Sequence, residues 1–188
     1  MFEKLNQLKM IQEKYQEEMR VNGLTALKEA LAEFFDKYPE VETVQWTQYA
    51  PYFNDGDACV FSVNDPHVLF NEHCSAEFLK KHLGSSNLEN TEYKKVDHRW
   101  VTHSKGPYSD EELIQNYVGV EPKGFEGDND LCACSTESLN DGSSLYNALH
   151  ELSSGLNVLE DVLEDLFDSH VTVTCTRDEI TTEEYDHD

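Results

Sequence analysis

The feature that most constrains the fold is a run of leucines between residues 143 and 168. Alternating steps of four and three residues separate Leu145, Leu149, Leu152, Leu156, Leu159, Leu163 and Leu166. This heptad spacing predicts one long helix with a continuous apolar stripe, which must be covered by another apolar surface. That surface is either the N-terminal helices of the same chain or, alternatively, the same stripe of a second copy.

The N-terminus supplies a matching pair of apolar stripes. Apolar residues recur every three or four positions over 3–21 and again over 25–37, and Asn22-Gly23 between them is a typical helix-ending pair. The pattern predicts a helical hairpin that packs on the long helix. We expect the leucine stripe to contact Leu5, Leu8, Tyr15, Leu27 and Leu31 of this hairpin.

Alternating β-branched and aromatic residues predict two β-hairpins. The first joins 41–49 to 58–63 through a wide aromatic loop, and Asn64-Asp65-Pro66 ends it. The second joins 171–176 to 180–185. The chain is therefore predicted to be a single α+β domain over residues 1–188, with an antiparallel sheet built from two β-hairpins and helices on one face. The N-terminal helical hairpin and the long helix of the C-terminal half pack together on it.

The middle of the chain gives weaker signals. Ser75 is a candidate N-cap for a short helix over 76–83, and the S-x-x-E spacing at Ser109 predicts a helix over 110–118. Residues 84–107 show no regular period. The glycine- and aspartate-rich segment 119–142 is predicted to be a long loop.

Net charge limits the classes of partner. The chain has 38 acidic and 14 basic residues, a formal charge of −24, which excludes nucleic-acid binding through a basic surface and disfavours docking on anionic lipid. No run of 18 apolar residues is present, and the first twenty residues are charged throughout. We therefore expect no membrane span, no secretion signal and a cytoplasmic location.

The negative charge is concentrated at the C-terminus, where residues 151–188 hold 12 acids and one base. Five carboxylates in nine residues of the long helix give about one charge per 2.7 Å of axis, comparable to the DNA backbone. Like charges at i,i+4 and acids near a helix C-terminus are both unfavourable, which favours a site for a basic partner, with or without mimicry of nucleic acid. The structural alternative is a solvated face that only increases solubility. The predicted site is Glu160, Asp161, Glu164, Asp165 and Asp168, flanked by Glu151, Glu183, Glu184, Asp186 and Asp188.

The aromatic loop after residue 45 is a candidate second anchor. Its functional interpretation is an exposed platform formed by Trp46, Tyr49, Tyr52, Phe53, Asp55 and Asp57. The structural alternative is a hairpin loop whose aromatic rings fold back on the core. A third possibility is a cation site at Asn54, Asp55 and Asp57, although the spacing of a calcium loop is absent.

Histidines and cysteines offer an alternative chemistry. Zinc ligands could come from His67, His73, Cys74, His98, His103, Cys132 and Cys134, but the single C-x-C lacks a partner pair. No nucleophile elbow, phosphate loop or H-E-x-x-H motif is present, so no catalytic residue and no cofactor are predicted. The five cysteines exclude a complete internal disulfide set, and Cys59 and Cys175 are predicted to be small core residues.

The run VQWTQYAPYFNDGDACVFSV, together with the TRD turn and the EEYDHD ending, resembles a family of short uncharacterised proteins of tailed phages and bacteria. The resemblance implies no catalytic residue. It suggests a phage or bacterial cytoplasmic protein. Together with the acidic C-terminal half, this leads to the hypothesis of a phage-encoded inhibitor that covers a basic nucleic-acid-binding surface of a host protein as a charge mimic. The alternatives are a small metal protein or enzyme that uses the His/Cys set or the NDGD loop, and an assembly protein that dimerises through the long helix.

Overall fold

The computed structural model describes residues 2–51, 59–96, 99–119 and 135–185. These residues form five α-helices and seven strands. The helices are α1 (Glu3–Lys37), α2 (Ala76–His82), α3 (Asp110–Tyr117), α4 (Ser144–Val158) and α5 (Glu160–Phe167). The strands are β1 (Val41–Tyr49), β2 (Ser62–Val63), β3 (His67–Phe70), β4 (Glu89–Val96), β5 (Arg99–Pro107), β6 (Val171–Cys175) and β7 (Ile180–Glu184).

Strand β1 organises the main sheet. It pairs with β2 and β3 along one edge and with β6 along the other, and β7 lies outside β6. Every pairing is antiparallel, with Trp46 opposite Val173 and Gln48 opposite Val171. Strands β4 and β5 form a separate two-stranded sheet. The predicted α+β class with an antiparallel sheet is confirmed.

The predicted strand pairs are correct in part. The β6–β7 hairpin is confirmed, but of the described residues between 59 and 63 only Ser62 and Val63 pair with β1. Asn64-Asp65-Pro66 does not end the sheet, because β3 follows it directly and pairs with β1 from Val41 to Gln45. The β4–β5 hairpin was not predicted, since its polar sequence has no clear alternation.

The helices and the inward side of the sheet form one hydrophobic core. Trp46, Val44, Val173 and Cys175 are completely buried on the sheet, and they belong to the same cluster as residues of α1 to α5. The largest helical contributions come from Leu31, Phe34, Phe35, Leu79, Leu113, Leu145, Leu149, Leu156 and Leu163. The molecule is therefore a mixed α+β single-domain fold.

The predicted N-terminal helical hairpin is wrong, because α1 is one continuous helix of 35 residues. Gly23 lies inside it and is buried. A Cβ atom on Gly23 would lie 3.2 Å from Leu159 Cδ2 and 3.4 Å from Val162 Cγ1. The glycine thus permits close packing of the C-terminal helices, and this packing outweighs the roughly 1 kcal/mol helix penalty of glycine.

The long C-terminal helix is interrupted, in contrast to the prediction. Leu159 ends α4 and begins α5 with φ −100° and ψ 9°. Its N–H donates to both Gly155 O at 3.2 Å and Leu156 O at 2.9 Å, a tightened last turn. A heptad pattern cannot reveal this break, because the leucines continue in register on both sides.

The leucine stripe lies in the chain's own core. Leu145, Leu149, Leu156 and Leu163 are buried, and Leu152 and Leu159 pack partly against them. The stripe is therefore not available for dimerisation. Among its predicted partners Leu27 and Leu31 are buried, whereas Leu5, Leu8 and Tyr15 are about 60% exposed, so that part of the prediction is wrong.

Several local predictions have clear outcomes. Helices α2 and α3 are confirmed, with Ser75 as an N-cap and a complete capping box between Ser109 and Glu112. Cys175 is buried as expected, but Cys59 is exposed and is not a core residue. Most of the predicted loop, 120–134, lies outside the described residues. Within the described residues no helix combines the length and the apolar character needed to cross a bilayer.

Two helical glycines give a matched test of the close packing between α1 and the C-terminal helices. A Cβ at Gly155 meets no atom within 4 Å, so Gly155→Ala should stabilise the protein by about 0.5–1 kcal/mol. Gly23→Ala should give no such gain and should destabilise, because its Cβ is crowded by Leu159 and Val162. Urea unfolding of both variants measures the difference. Equal stabilisation by the two substitutions would contradict close packing at Gly23.

Candidate functional site

Helix α5 has one apolar and one acidic side. Val162 and Leu163 are buried, while Asp161, Glu164 and Asp165 are exposed. We name Glu160, Asp161, Glu164, Asp165 and Asp168 the acidic face. The sequence left the exposure of these carboxylates open, because it depends on the rotation of the leucine stripe. The buried apolar side fixes that rotation, so Asp161, Glu164, Asp165 and Asp168 are exposed, whereas Glu160 is half-buried.

The break at Leu159 changes the electrostatics of the acidic face. Because α5 begins at Glu160, both Glu160 and Asp161 lie in its first turn, where negative charge is favourable. Glu160 is half-buried, and its Oε1 accepts a hydrogen bond from the Val63 N–H at 3.3 Å. The expected cost from the helix dipole therefore applies to the later acids, Glu164, Asp165 and the C-cap residue Asp168. Glu160 also has a structural role.

A buried glutamine fastens the end of α5 to the sheet. The Gln48 Nε2 donates to the Leu163 carbonyl at 3.1 Å and to the Asp168 carbonyl at 2.7 Å, and its Oε1 accepts from Trp46 Nε1 at 3.3 Å. Asp168 leaves the helix at φ 67°, a conformation that non-glycine residues rarely adopt. The amide of Gln48 holds the carbonyl of this strained residue in place.

Sequence reasoning did not identify Gln48, although a signal was present. In the alternating strand β1 the side chains of Val44, Trp46 and Gln48 share one side. Val44 and Trp46 mark that side as the core side. A glutamine at the next inward position therefore needs hydrogen-bond partners, and the helix-terminal carbonyls provide them.

The two glutamates at the end of β7, Glu183 and Glu184, lie on opposite sides of the sheet. Glu184 lies opposite Val171 on the side that α5 covers, whereas Glu183 lies opposite Thr172 on the other side. The Tyr185 N–H donates to the His170 carbonyl at 2.7 Å, which keeps this strand end beside the chain that leaves α5. Both glutamates are exposed. The structure thus places Glu184 on the side of the acidic face and Glu183 away from it.

The predicted aromatic platform does not include Trp46. This residue is 0% exposed and belongs to the core, where its ring lies 6.4 Å from that of Phe167. Tyr49 is half-buried, and its ring lies 5.8 Å from that of Tyr185. Burial and the neighbouring Tyr49 raise the pKa of Tyr185. The remaining platform residues, which are Tyr52, Phe53, Asp55 and Asp57, lie outside the described residues. The whole cation-site candidate, Asn54, Asp55 and Asp57, lies outside them as well.

The remaining predicted flanks do not join the acidic face. Glu151 is exposed on α4 and lines a cleft of about 340 Å³ between α1 and α4, together with Glu33 and Lys37. Because Glu151 lies on α4 and lines this cleft, it belongs to a different surface from the acidic face on α5. Asp186 and Asp188 lie outside the described residues.

No described base neutralises the acidic face. Arg177 is the one base of residues 151–188, and its guanidinium binds Asp36 at 3.1 Å, the Phe35 carbonyl and the Phe35 ring. It is thus held against the end of α1. In the described part of the chain, none of Asp161, Glu164 and Asp165 forms an ion pair or a side-chain hydrogen bond.

The histidine and cysteine candidates do not form a site among the described residues. Burial lowers the pKa of His67 to about 4 and raises the pKa of Cys74 to about 12, so the imidazole is neutral and the thiol is a poor nucleophile. His73 is exposed, whereas His67 and Cys74 are buried. No group of three potential metal ligands occurs in the described residues. Cys132 and Cys134, and the side chains of His98 and His103, lie outside them.

No protein-family model, curated protein or solved structure matches the chain significantly. Its function is therefore argued from the geometry of the acidic face.

The role of Gln48 is testable with a pair of variants of similar shape. Gln48→Met removes the hydrogen bonds and should cost about 1–3 kcal/mol, whereas Gln48→Glu also directs a buried carboxylate at two carbonyl oxygens and should cost about 3–5 kcal/mol. Urea unfolding at neutral pH measures both. Equal stability of the two variants would show that the amide does not donate to α5.

Burial of His67 predicts an acid-sensitive contribution to stability. Its pKa is about 4 in the folded protein and 6.5 in the unfolded chain, so the unfolded state binds more protons between these values. The contribution is present above pH 6.5 and is lost as pH falls through about 4, by up to roughly 3 kcal/mol.

The measurement is the free energy of unfolding from pH 7.5 to pH 4 for wild type, His67→Gln and His73→Gln. His67→Gln should remove this part of the pH dependence, whereas the control at exposed His73 should retain it. An unchanged slope for His67→Gln would place the acid sensitivity elsewhere.

Proposed function

We propose that the chain is a non-enzymatic interaction protein whose acidic face occupies a basic, nucleic-acid-binding surface on another protein. The observation that supports this most directly is the exposure of Asp161, Glu164 and Asp165 without a described basic partner. Exposed like charges that no base neutralises repel one another, and a cationic surface would relieve that repulsion.

The spacing of the acidic face suits a nucleic-acid site. Helix α5 is about 12 Å long, and four of its eight residues are acidic. Along one strand of duplex DNA, successive charges are about 3.4 Å apart. A surface built to bind phosphates would therefore meet a similar density of negative charge on this helix.

Rigidity of the acidic face favours a binding role. The Gln48 amide, the Glu160–Val63 hydrogen bond and the buried Leu163 hold α5 against the sheet at both ends. Charges on a fixed scaffold lose little conformational freedom on binding, so more of the Coulomb attraction remains as affinity. They would also accelerate association with a basic partner.

The biological setting proposed here rests on the resemblance to small phage and bacterial proteins. In that setting the chain acts in the cytoplasm of a bacterial host as a phage-encoded inhibitor of a nucleic-acid-handling or defence protein. Tyr49 and Glu183 lie on the other side of the sheet from α5, so they would serve a second contact rather than the acidic face itself.

The test compares two variants that lose the same number of charges. Asp161→Asn, Glu164→Gln and Asp165→Asn together neutralise the acidic face but keep Glu160, which bonds to β2. Glu29→Gln, Glu42→Gln and Asp141→Asn remove three exposed charges elsewhere. Both triple variants should remain within about 0.5 kcal/mol of the wild-type stability.

The immobilised wild-type chain is incubated with a bacterial lysate, and the proteins that it retains at low and at high salt are identified. Each candidate is then purified, and its binding to the chain is measured with a 20-bp DNA duplex as competitor. We expect a nucleic-acid-binding protein that the duplex displaces, and its binding should weaken for the acidic-face variant with a shallower salt dependence. The control variant should bind like wild type. Unchanged affinity and salt slope for the acidic-face variant, or simultaneous binding of the duplex, would contradict the proposal.

A further inference from the structure

The outer half of α1, residues 3–22, extends away from the core. Every residue from 2 to 22 is exposed except Met19, which is half-buried. At about 1.5 Å per residue this segment is about 30 Å long. A solitary helix of this length is only marginally stable in water, because tertiary packing supplies most helix stability.

An apolar stripe follows this outer half. Leu5, Leu8, Ile11 and Tyr15 are 60–65% exposed, and Met19 continues the stripe at the base. The successive steps of 3, 3, 4 and 4 residues average 3.5, so the five side chains stay on one side of the helix, as a contact with a second helix requires. The ion pairs Lys9–Glu13 and Lys14–Glu18 lie along the same helix at 3.6 and 3.5 Å, and at such exposure each contributes a few tenths of a kcal/mol at most.

Charge separates this segment from the rest of the molecule. Residues 1–22 hold four acids and four bases, so their net charge is zero and residues 23–188 carry the whole −24. A second copy of the chain is repelled from every strongly acidic surface. The outer half of α1 is therefore a long exposed segment on which two copies can meet without that repulsion.

We propose that two copies of the chain pair through the outer halves of α1 as an antiparallel two-helix coiled coil. An antiparallel crossing near Ile11 lays the stripe of each copy along the stripe of the other, with Ile11 of the two copies side by side. Each exposed apolar side chain offers roughly 100 Å². With the flanking side chains, the paired stripes approach the roughly 800 Å² per partner of a standard interface.

Two electrostatic features select the antiparallel arrangement. With Leu5 at heptad position a and Leu8 at d, Tyr15 is at d and Met19 is at a. Lys4, Ile11 and Glu18 are then at g, on the edge of the seam, and Lys9 is at e. Antiparallel helices place Lys4 beside Glu18 of the other copy, whereas parallel helices would place Lys4 beside Lys9. The antiparallel pair also keeps the two acidic bodies about 30 Å apart, well beyond the Debye length of about 8 Å at physiological salt.

Sedimentation equilibrium of the full chain from about 1 to 200 μM tests the dimer. We expect a mass twice the 21.6 kDa of the chain at the upper concentrations. Leu8→Gln with Ile11→Gln should weaken association by more than about 100-fold. Met10→Gln with Val21→Gln is the matched control, because these residues are similarly exposed but lie off the stripe. All four positions are exposed, so circular dichroism should show a folded protein in each case.

Charge reversals test the orientation. Lys4→Glu alone and Glu18→Lys alone should each weaken the dimer by about two- to fivefold, and the two together should restore it. A stronger dimer with Lys4→Glu would indicate parallel helices and overturn the arrangement. A monomer at every concentration, a dimer unaffected by the stripe variant, or an equal loss in the control variant would each overturn the proposed interface.

Discussion

The hydrogen bonds of the Gln48 amide connect the central strand, the hydrophobic core and the end of α5. Gln48 lies on the central strand, its oxygen accepts from the core residue Trp46, and its nitrogen binds the last carbonyls of α5. An unpaired buried amide would cost on the order of 1–3 kcal/mol, so helix and sheet are ordered together. The position of the acidic face follows from this link.

The break at Leu159 and the packing at Gly23 occur at one crowded contact between α1 and the C-terminal helices. Absence of a side chain at Gly23 admits Leu159 and Val162, and α4 ends and α5 begins at Leu159. Because a new helix then begins, Glu160 and Asp161 gain the favourable dipole of a first turn. Local packing therefore lowers the electrostatic cost of an acidic helix, although Glu164 and Asp165 still bear it.

The molecule combines a strongly acidic body with a helical extension that has zero net charge and one exposed apolar stripe. Repulsion among the carboxylates keeps copies of the body apart, while the outer half of α1 carries balanced charge and an uncovered stripe. A dimer of the proposed kind would present two acidic faces at opposite ends of one particle. Two linked sites raise the effective concentration for a partner that is itself dimeric or that exposes repeated basic surfaces.

The sequence determined the composition of the elements and the chemical character of their surfaces. Alternation and capping residues predicted β1, the β6–β7 hairpin, α2 and α3, and the spacing of the carboxylates predicted an acidic helix, whose exposure it left open. Only the tertiary structure decided that Gly23 continues a helix, that Leu159 ends one, that Trp46 is core and that Leu5, Leu8 and Tyr15 are uncovered. Helix propensities and heptads are local and worth about 1 kcal/mol or less per residue, whereas the packing that overrides them involves residues more than a hundred positions apart.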